Sequence, residues 1–162
     1  MFARLLAADD NRAFTLLRTT LGLVMLPHGA QKVLGWFGGA GIEGTVAGMG
    51  QAFGIPAPLA LVAIAVEFLG PIALLLGAGT RFAALGLAGL MLVAGSFHRG
   101  NGYFMNWSGT QGGEGFEFHL LYLGAALALA IGGAGAWSID RAMTRAVEPA
   151  EPAAAPRLRK AA

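Results

Sequence analysis

Five side chains able to carry or move a proton stand inside stretches of this chain that are otherwise apolar. His28 and Lys32 share one stretch, Glu67 lies near the middle of the next, and Glu117 and His119 open the last. An ionised group in hydrocarbon costs at least about 2.5–3.5 kcal/mol on insertion scales, so such groups face one another or a wet cavity. The chemistry they offer is hydrogen bonding and proton transfer. On a helix, His28, Gln31 and Lys32 share one face, with Met25 a turn below and Gly35 a turn above. Pro27 removes the donor for the Leu23 carbonyl and predicts a kink beside His28. Glu67 shares its face with Ala60, Ala63, Gly70 and Pro71, small neighbours that turn a carboxyl into a helix bundle. Pro71 also deprives the Glu67 carbonyl of its helical donor, so two acceptors need partners there. His28, Lys32, Arg99, a water or a ligand are the available donors, and a protonated Glu67 is the other way out. Plain structural readings compete: Lys32 snorkelling to an interface, His28 bonding a neighbouring helix, Glu67 in an inter-helix hydrogen bond. Glu114 and Glu117 flank the mouth of the last stretch, where solvation accounts for Glu114 better than for Glu117.

Composition removes several classes of function. The chain has 162 residues, 12% of them charged, about half the share of a soluble domain. It has no cysteine, which removes disulfides, CxxC redox pairs, iron–sulfur ligation and thiolate zinc sites. Three histidines are present without HxxxH or HExxH spacing, so no metal site is expected and no spacing asks for bis-His haem. No Ser/His/Asp order, P-loop or dinucleotide fingerprint occurs. A net charge of +2 without a basic stripe gives no nucleic-acid partner.

The elements that must position these residues are four hydrophobic spans, at about Ala13–Trp36, Pro58–Leu76, Arg81–Phe97 and Phe116–Ile131. The expected fold is all-α: a compact bundle of four transmembrane helices, because helices satisfy their own backbone in lipid. Gly86, Gly89, Gly124 and Ala128 are expected to let helices approach closely. Arg4, Arg12, Arg18, Arg81, Arg141, Arg145, Arg157, Arg159 and Lys160 all fall on one side, with Lys32 and Arg99 toward the other. The positive-inside rule makes that side cytoplasmic and puts both termini there. The first span reads as retained, not as a cleaved signal. Ile42, Val46, Met49 and Phe53 predict a short amphipathic helix in the first outer loop. Residues 1–140 read as the bundle and 141–162 as a basic, Pro/Ala-rich tail without fixed structure.

Several stretches together resemble the DoxX family. They are Leu26-Pro27-His28-Gly29-Ala30-Gln31-Lys32 running into Gly35-Trp36-Phe37-Gly38-Gly39, and Glu67-Phe68-Leu69-Gly70 with Gly77 and Thr80-Arg81. Asn101-Gly102-Tyr103-Phe104-Met105-Asn106-Trp107 follows, then Gly113 to His119 and Ser138-Ile139-Asp140. The resemblance implies a small multi-pass protein of the bacterial inner membrane, linked to redox physiology. A relative is the membrane subunit of a thiosulfate:quinone oxidoreductase. Related membrane folds that handle disulfides use cysteine pairs, which this chain lacks.

Three readings stand open. In the first, the chain is a redox-associated membrane subunit with a polar pocket near the outer leaflet, linked to a quinone and with haem disfavoured. Glu67 and His28 carry the chemistry there. Lys32, Gln31, Trp36, Glu117, His119, Asn106 and Trp107 bind ligand, and Tyr103 joins Trp36 and Trp107 at the lip. In the second, it is a membrane anchor for a soluble redox partner protein, docked on the aromatic outer loop. In the third, it is a small-solute transporter, which four short spans would form as a homo-oligomer.

Overall fold

The computed structural model describes residues 10–147. Among them every regular element is helical and there is no strand. The helices are α1 (Arg12–Leu34), α2 (Gly41–Phe53), α3 (Ala57–Leu76), α4 (Thr80–His98), α5 (Glu117–Gly132) and α6 (Ile139–Val147). Short 3-10 turns at Trp36–Gly38 and Arg99–Asn101 follow α1 and α4. The four expected hydrophobic segments are thus helices, and α2 is the short helix expected from the Ile42, Val46, Met49, Phe53 spacing. Two of them are long and apolar enough to cross a membrane: α3, and α4 with the turn to Asn101. The other two fall short on one count each. α1 has 23 residues but is more polar, and α5 is apolar but has 16 residues.

Helix α1 packs along α3 and α5 along α4; α3 meets α4, and a narrower α1–α5 contact completes the bundle. The shared core holds Leu21, Met25, Leu74, Leu87, Tyr122 and Leu129. Tyr122 is buried, and its hydroxyl donates to the Leu21 carbonyl at 3.1 Å, so its polar end is satisfied. Both α1 and α3 continue as helices through Pro27 and Pro71.

The closest approach of one helix backbone to another is at Gly29. A methyl group there would overlap the Glu67 carbonyl oxygen and stand 2.6 Å from Cα of Phe68. The carbonyl that Pro71 deprives of a donor is therefore covered by a glycine Cα, a contact that a weak C–H···O interaction favours. One and a half to two turns earlier, at Gly22, a methyl would meet Leu75 and the Pro71 carbonyl. The glycines expected at close approaches are not the ones used: Gly89 and Gly124 face open space, and Gly86 makes only ordinary contact with Val66. The reason is partner choice. The tight pair is α1 with α3, and the glycines that face this seam are on α1.

At the other end of the bundle, arginines tie the helices together. Arg18, read from sequence as a charge at the membrane edge, lies within α1 and is 2% exposed. Its Nη1 donates to the Leu74 and Leu75 carbonyls, both at 2.7 Å, in the last turn of α3. Its Nε and Nη2 reach Ala134 at 2.9 Å and Trp137 at 2.7 Å in the α5–α6 turn. Arg81 does the same for α5, donating to the Ala130 carbonyl at 2.8 Å and to Ile131. Both guanidiniums thus supply donors to carbonyls that end a helix, where the dipole favours a cation. Asp140 completes the arrangement from the opposite charge: its carboxylate accepts from Gly79 N at 2.7 Å and Thr80 N at 2.9 Å, capping the start of α4.

The expected boundary between residues 140 and 141 falls inside α6, so residues 141–147 are helical where a tail without fixed structure was expected. Helix α6 has its own cap, Ser138, whose Oγ accepts from Arg141 N at 3.1 Å. Asp10 holds Arg145 at 2.7 Å and Arg141 at 3.4 Å, and these two partners, Arg145 first, keep its carboxyl below the usual range. This tie is present at neutral pH and is lost as the pH falls through the lowered Asp10 value, below the ordinary 3.8. The tail from 148 onward, and Arg4, lie outside the described residues.

Two pairs of substitutions test this packing. Gly29→Ala should force α1 from α3 and lower stability by about 1–3 kcal/mol, while Gly124→Ala, into open space, should be neutral or raise it by about 0.5–1 kcal/mol. Thermal unfolding in detergent compares them, and equal melting points would refute the close approach. Arg18→Met should leave buried carbonyls unpaired, with a loss of about 3 kcal/mol or more, and Arg18→Lys should recover only part of it. Full recovery by lysine in the same assay would show that charge alone, not the planar fork, is what α1 supplies.

Candidate functional site

The end of the bundle opposite the arginines holds a cavity of about 360 Å³, within the size range of small-molecule sites. Every bundle helix contributes to it: Met25, His28 and Lys32 from α1, Ala63 and Glu67 from α3, Met91, Phe97 and His98 from α4, and Phe118 and His119 from α5. Met49 and Phe53 of α2 cover it, and Met105 and Glu114 reach it from the loop at 99–116. The wall is largely apolar, with a few polar groups placed on it.

Lys32 and Glu67 form an ion pair, with Lys32 Nζ donating to Glu67 Oε1. Glu67 is buried, while the Lys32 side chain keeps 25% exposure. Among the donors available in the sequence, Lys32 is the one that meets the carboxylate. Local geometry explains why. Side chains on a helix lean toward its N-terminus, and α1 and α3 run in opposite directions. Lys32 therefore leans back along α1 while Glu67 leans forward to meet it. The Gly29 approach one turn away brings the two helices close enough for contact.

All three histidines line the same cavity. His28 stands at its exposed rim, its ring 6.3 Å from that of Phe118. His98 and His119 are stacked, with ring centroids 4.7 Å apart and planes at 25°. Gly95 leaves room for this, since a methyl there would stand 3.1 Å from Cβ of His119. His98 Nδ1 lies 3.1 Å from the Glu114 carbonyl oxygen. His119 Nδ1 is buried, with a backbone neighbour at Gly115 that does not make a hydrogen bond of good geometry.

The remaining residues expected at the site stand outside the cavity wall. Gln31 Nε2 donates to the Phe37 carbonyl at 3.3 Å and holds the turn after α1. Trp36, Tyr103 and Trp107 are exposed, Trp107 to 87%, and none forms a lip. Glu117 Oε2 accepts from Met105 N at 3.2 Å, and Glu114 Oε2 accepts from Asn106 N at 2.7 Å. Asn106 closes a local ring with Gln111, donating to its carbonyl and accepting from its N–H. These contacts fold the loop into a cap over the cavity, and of Glu114, Glu117, Asn106 and Gln111 only Glu114 also reaches the cavity wall. The sequence reading placed no weight on Met49, Met91, Met105, Phe97 or Phe118 as lining residues. Only Met49 carried a signal, through its place on the apolar face of α2.

The DoxX family model matches residues 13–100, more than half of the chain, and so includes His28, Lys32, Glu67 and His98. No curated protein and no solved structure matches it. The chain therefore belongs to the DoxX family, a family of small membrane proteins.

Proposed function

We propose that this protein is a multi-pass subunit of the bacterial inner membrane that binds a quinone-like molecule in the cavity and couples it to proton movement. One observation carries the reading: an ion pair, Lys32–Glu67, set into the wall of an otherwise apolar cavity beside three histidines. Buried ionisable groups in a membrane protein mark ligand or proton paths more often than they serve as supports. The donor set fits the head of such a ligand. His119 Nδ1 makes no hydrogen bond of good geometry, His28 stands at the rim, and Lys32 has two further N–H groups beyond the one Glu67 takes. A bound quinone would supply two-electron, two-proton chemistry, with electrons drawn from a partner protein. The chain's own part is to hold a carbonyl oxygen with Lys32 or a histidine and to exchange protons through Glu67.

In this reading α1 and α5 cross the membrane along with α3 and α4. The end bearing Arg12, Arg18, Arg81, Arg141 and Arg145 is cytoplasmic, which puts both termini inside and the cavity in the outer half. The exposed Phe104 and Trp107 of the cap favour a second, compatible role: an outer face on which a soluble oxidoreductase docks.

Glu67→Gln should weaken binding of a decyl-substituted benzoquinone to the purified protein about tenfold or more. Its stability loss should stay below the ~3–5 kcal/mol of a fully buried pair, because Lys32 is partly exposed. Unchanged quinone affinity by titration calorimetry would remove Glu67 from the site. Topology has its own test, since the chain lacks cysteine. An impermeant maleimide on intact cells should label Trp107→Cys and spare Ala142→Cys until the membrane is opened; the reverse pattern would invert the orientation.

A further inference from the structure

We propose that α2 is a hinged lid on the cavity, latched by the Phe53–Phe97 contact, and that the ligand passes beneath it sideways from the lipid. This rests on reading the cavity as a ligand site and adds how that ligand gets in and what kind of molecule it is.

Helix α2 covers the cavity and rests against α1 and α3 without burying any of its own 13 residues. Its Met49 and Phe53 line the cavity. Among the described residues no α2 side chain hydrogen-bonds to another helix. The last turn is closed by its own backbone, Gly54 N to the Gly50 carbonyl at 3.0 Å and Ile55 N to Met49 at 3.3 Å. Both ends are glycine joints. Gly41 and Gly54 each sit at φ 67°, and a methyl group at either would meet nothing within 4 Å. Left-handed glycines in open space can absorb a change of backbone angle without a collision. A segment with few buried apolar contacts and free joints opens at lower free energy than the core beside it.

The free edge of this lid is the phenyl pair. The Phe53 and Phe97 rings lie 4.6 Å apart at 34°, and the two residues are 46% and 41% exposed. Val93, one turn from Phe97 on α4, also lines the cavity and is exposed. α4 is one of the two helices long and apolar enough to cross a membrane, so in the proposed orientation this rim turns toward lipid. A gap opened between Phe53 and Phe97 would join the cavity to the bilayer. The ligand class that suits such a path is a membrane-dissolved amphiphile, with an apolar body and a small head bearing oxygen acceptors for Lys32 and the histidines.

The absence of cysteine makes the latch directly testable. In Phe53→Cys/Phe97→Cys the two new thiols are the only ones, and a short bis-methanethiosulfonate oxidises both to mixed disulfides, a bridge that dithiothreitol reopens. The protein is held in lipid nanodiscs, and a decyl-substituted benzoquinone is delivered from vesicles, with the quinone taken up beyond that of protein-free discs as readout. The bridged form should load and release the probe at least tenfold more slowly than the same protein reduced. Equal rates in the two forms would overturn the lid while leaving the cavity reading intact. Failure of both wild type and reduced variant to bind the probe would overturn the cavity reading, and the lid with it. Amide hydrogen exchange on the wild type gives a measurement free of any substitution. Amides of α2 should exchange at least tenfold faster than those of α3 and slow when the probe is bound; equal protection of α2 and α3 would overturn the lid.

Discussion

Five backbone carbonyls, from Leu74, Leu75, Ala134, Ala136 and Trp137, converge on the guanidinium of Arg18. In a low-dielectric interior each of those oxygens needs a donor, and only a planar fork with donors on several sides reaches so many from one side chain. The consequence extends beyond the contacts themselves. α1 is fixed at this end against the last turn of α3, and a helix is stiff, so its register is set along its whole length. From Arg18 to Gly29 is about 16 Å of helix rise, and from Leu74 back to Glu67 about 10 Å. The length of the arginine side chain takes up the difference. Gly29 then arrives opposite the Glu67 carbonyl, and Lys32 opposite its carboxylate. The ion pair on the cavity wall is thus aligned by a hydrogen-bond cluster at the far end of the same helix pair.

The two ends of the bundle solve one problem with opposite charges. Helix ends expose carbonyls or N–H groups that must be satisfied. At the arginine end, cations meet carbonyls at the ends of α3 and α5 while Asp140 meets the N–H groups that start α4. At the cavity end, carboxylates meet loop N–H groups: Glu114 at Asn106 and Glu117 at Met105. Arg18, Arg81, Glu114, Glu117 and Asp140 are thereby committed to backbone. Lys32 and Glu67, like Asp10 and its two arginines at the far end, are committed to each other, and they alone of these pairs stand beside the cavity.

The helices were legible because each is a long apolar run bounded by Gly, Pro or polar residues, and the observed ends lie within about two residues of those expected. α2 was legible from four apolar residues at helical spacing. The Glu67 site was half legible. Pro71 announced an orphan carbonyl and the small neighbours an inward carboxyl, but Lys32 could not be told from His28 or Arg99 as partner without the relative placement of helices. Arg18 looks like an edge charge because a positive charge near a span usually is one, and nothing local says that carbonyls from two distant segments surround it. Glu117, Asn106 and Gln31 looked like site residues for a similar reason. A polar residue near an apolar segment has the same signature whether it faces a cavity or folds a loop, and the loop's own N–H groups were the partners that no local pattern reveals. Nothing local sets Gly29 and Gly22 apart from Gly89 and Gly124, because a glycine's close neighbour belongs to another helix.

Four thioethers, from Met25, Met49, Met91 and Met105, line the cavity from four separate elements. Unbranched and polarisable, they change rotamer at little cost and have no fixed outline of their own. A wall of this kind follows the shape of its occupant instead of dictating it. Discrimination between molecules must then come from the polar end, where Lys32, Glu67 and the stacked histidines have fixed positions. As the ligand site proposed above, the cavity would be strict about a head group and permissive about the body attached to it, so that compounds differing in chain length or branching would compete for it on nearly equal terms.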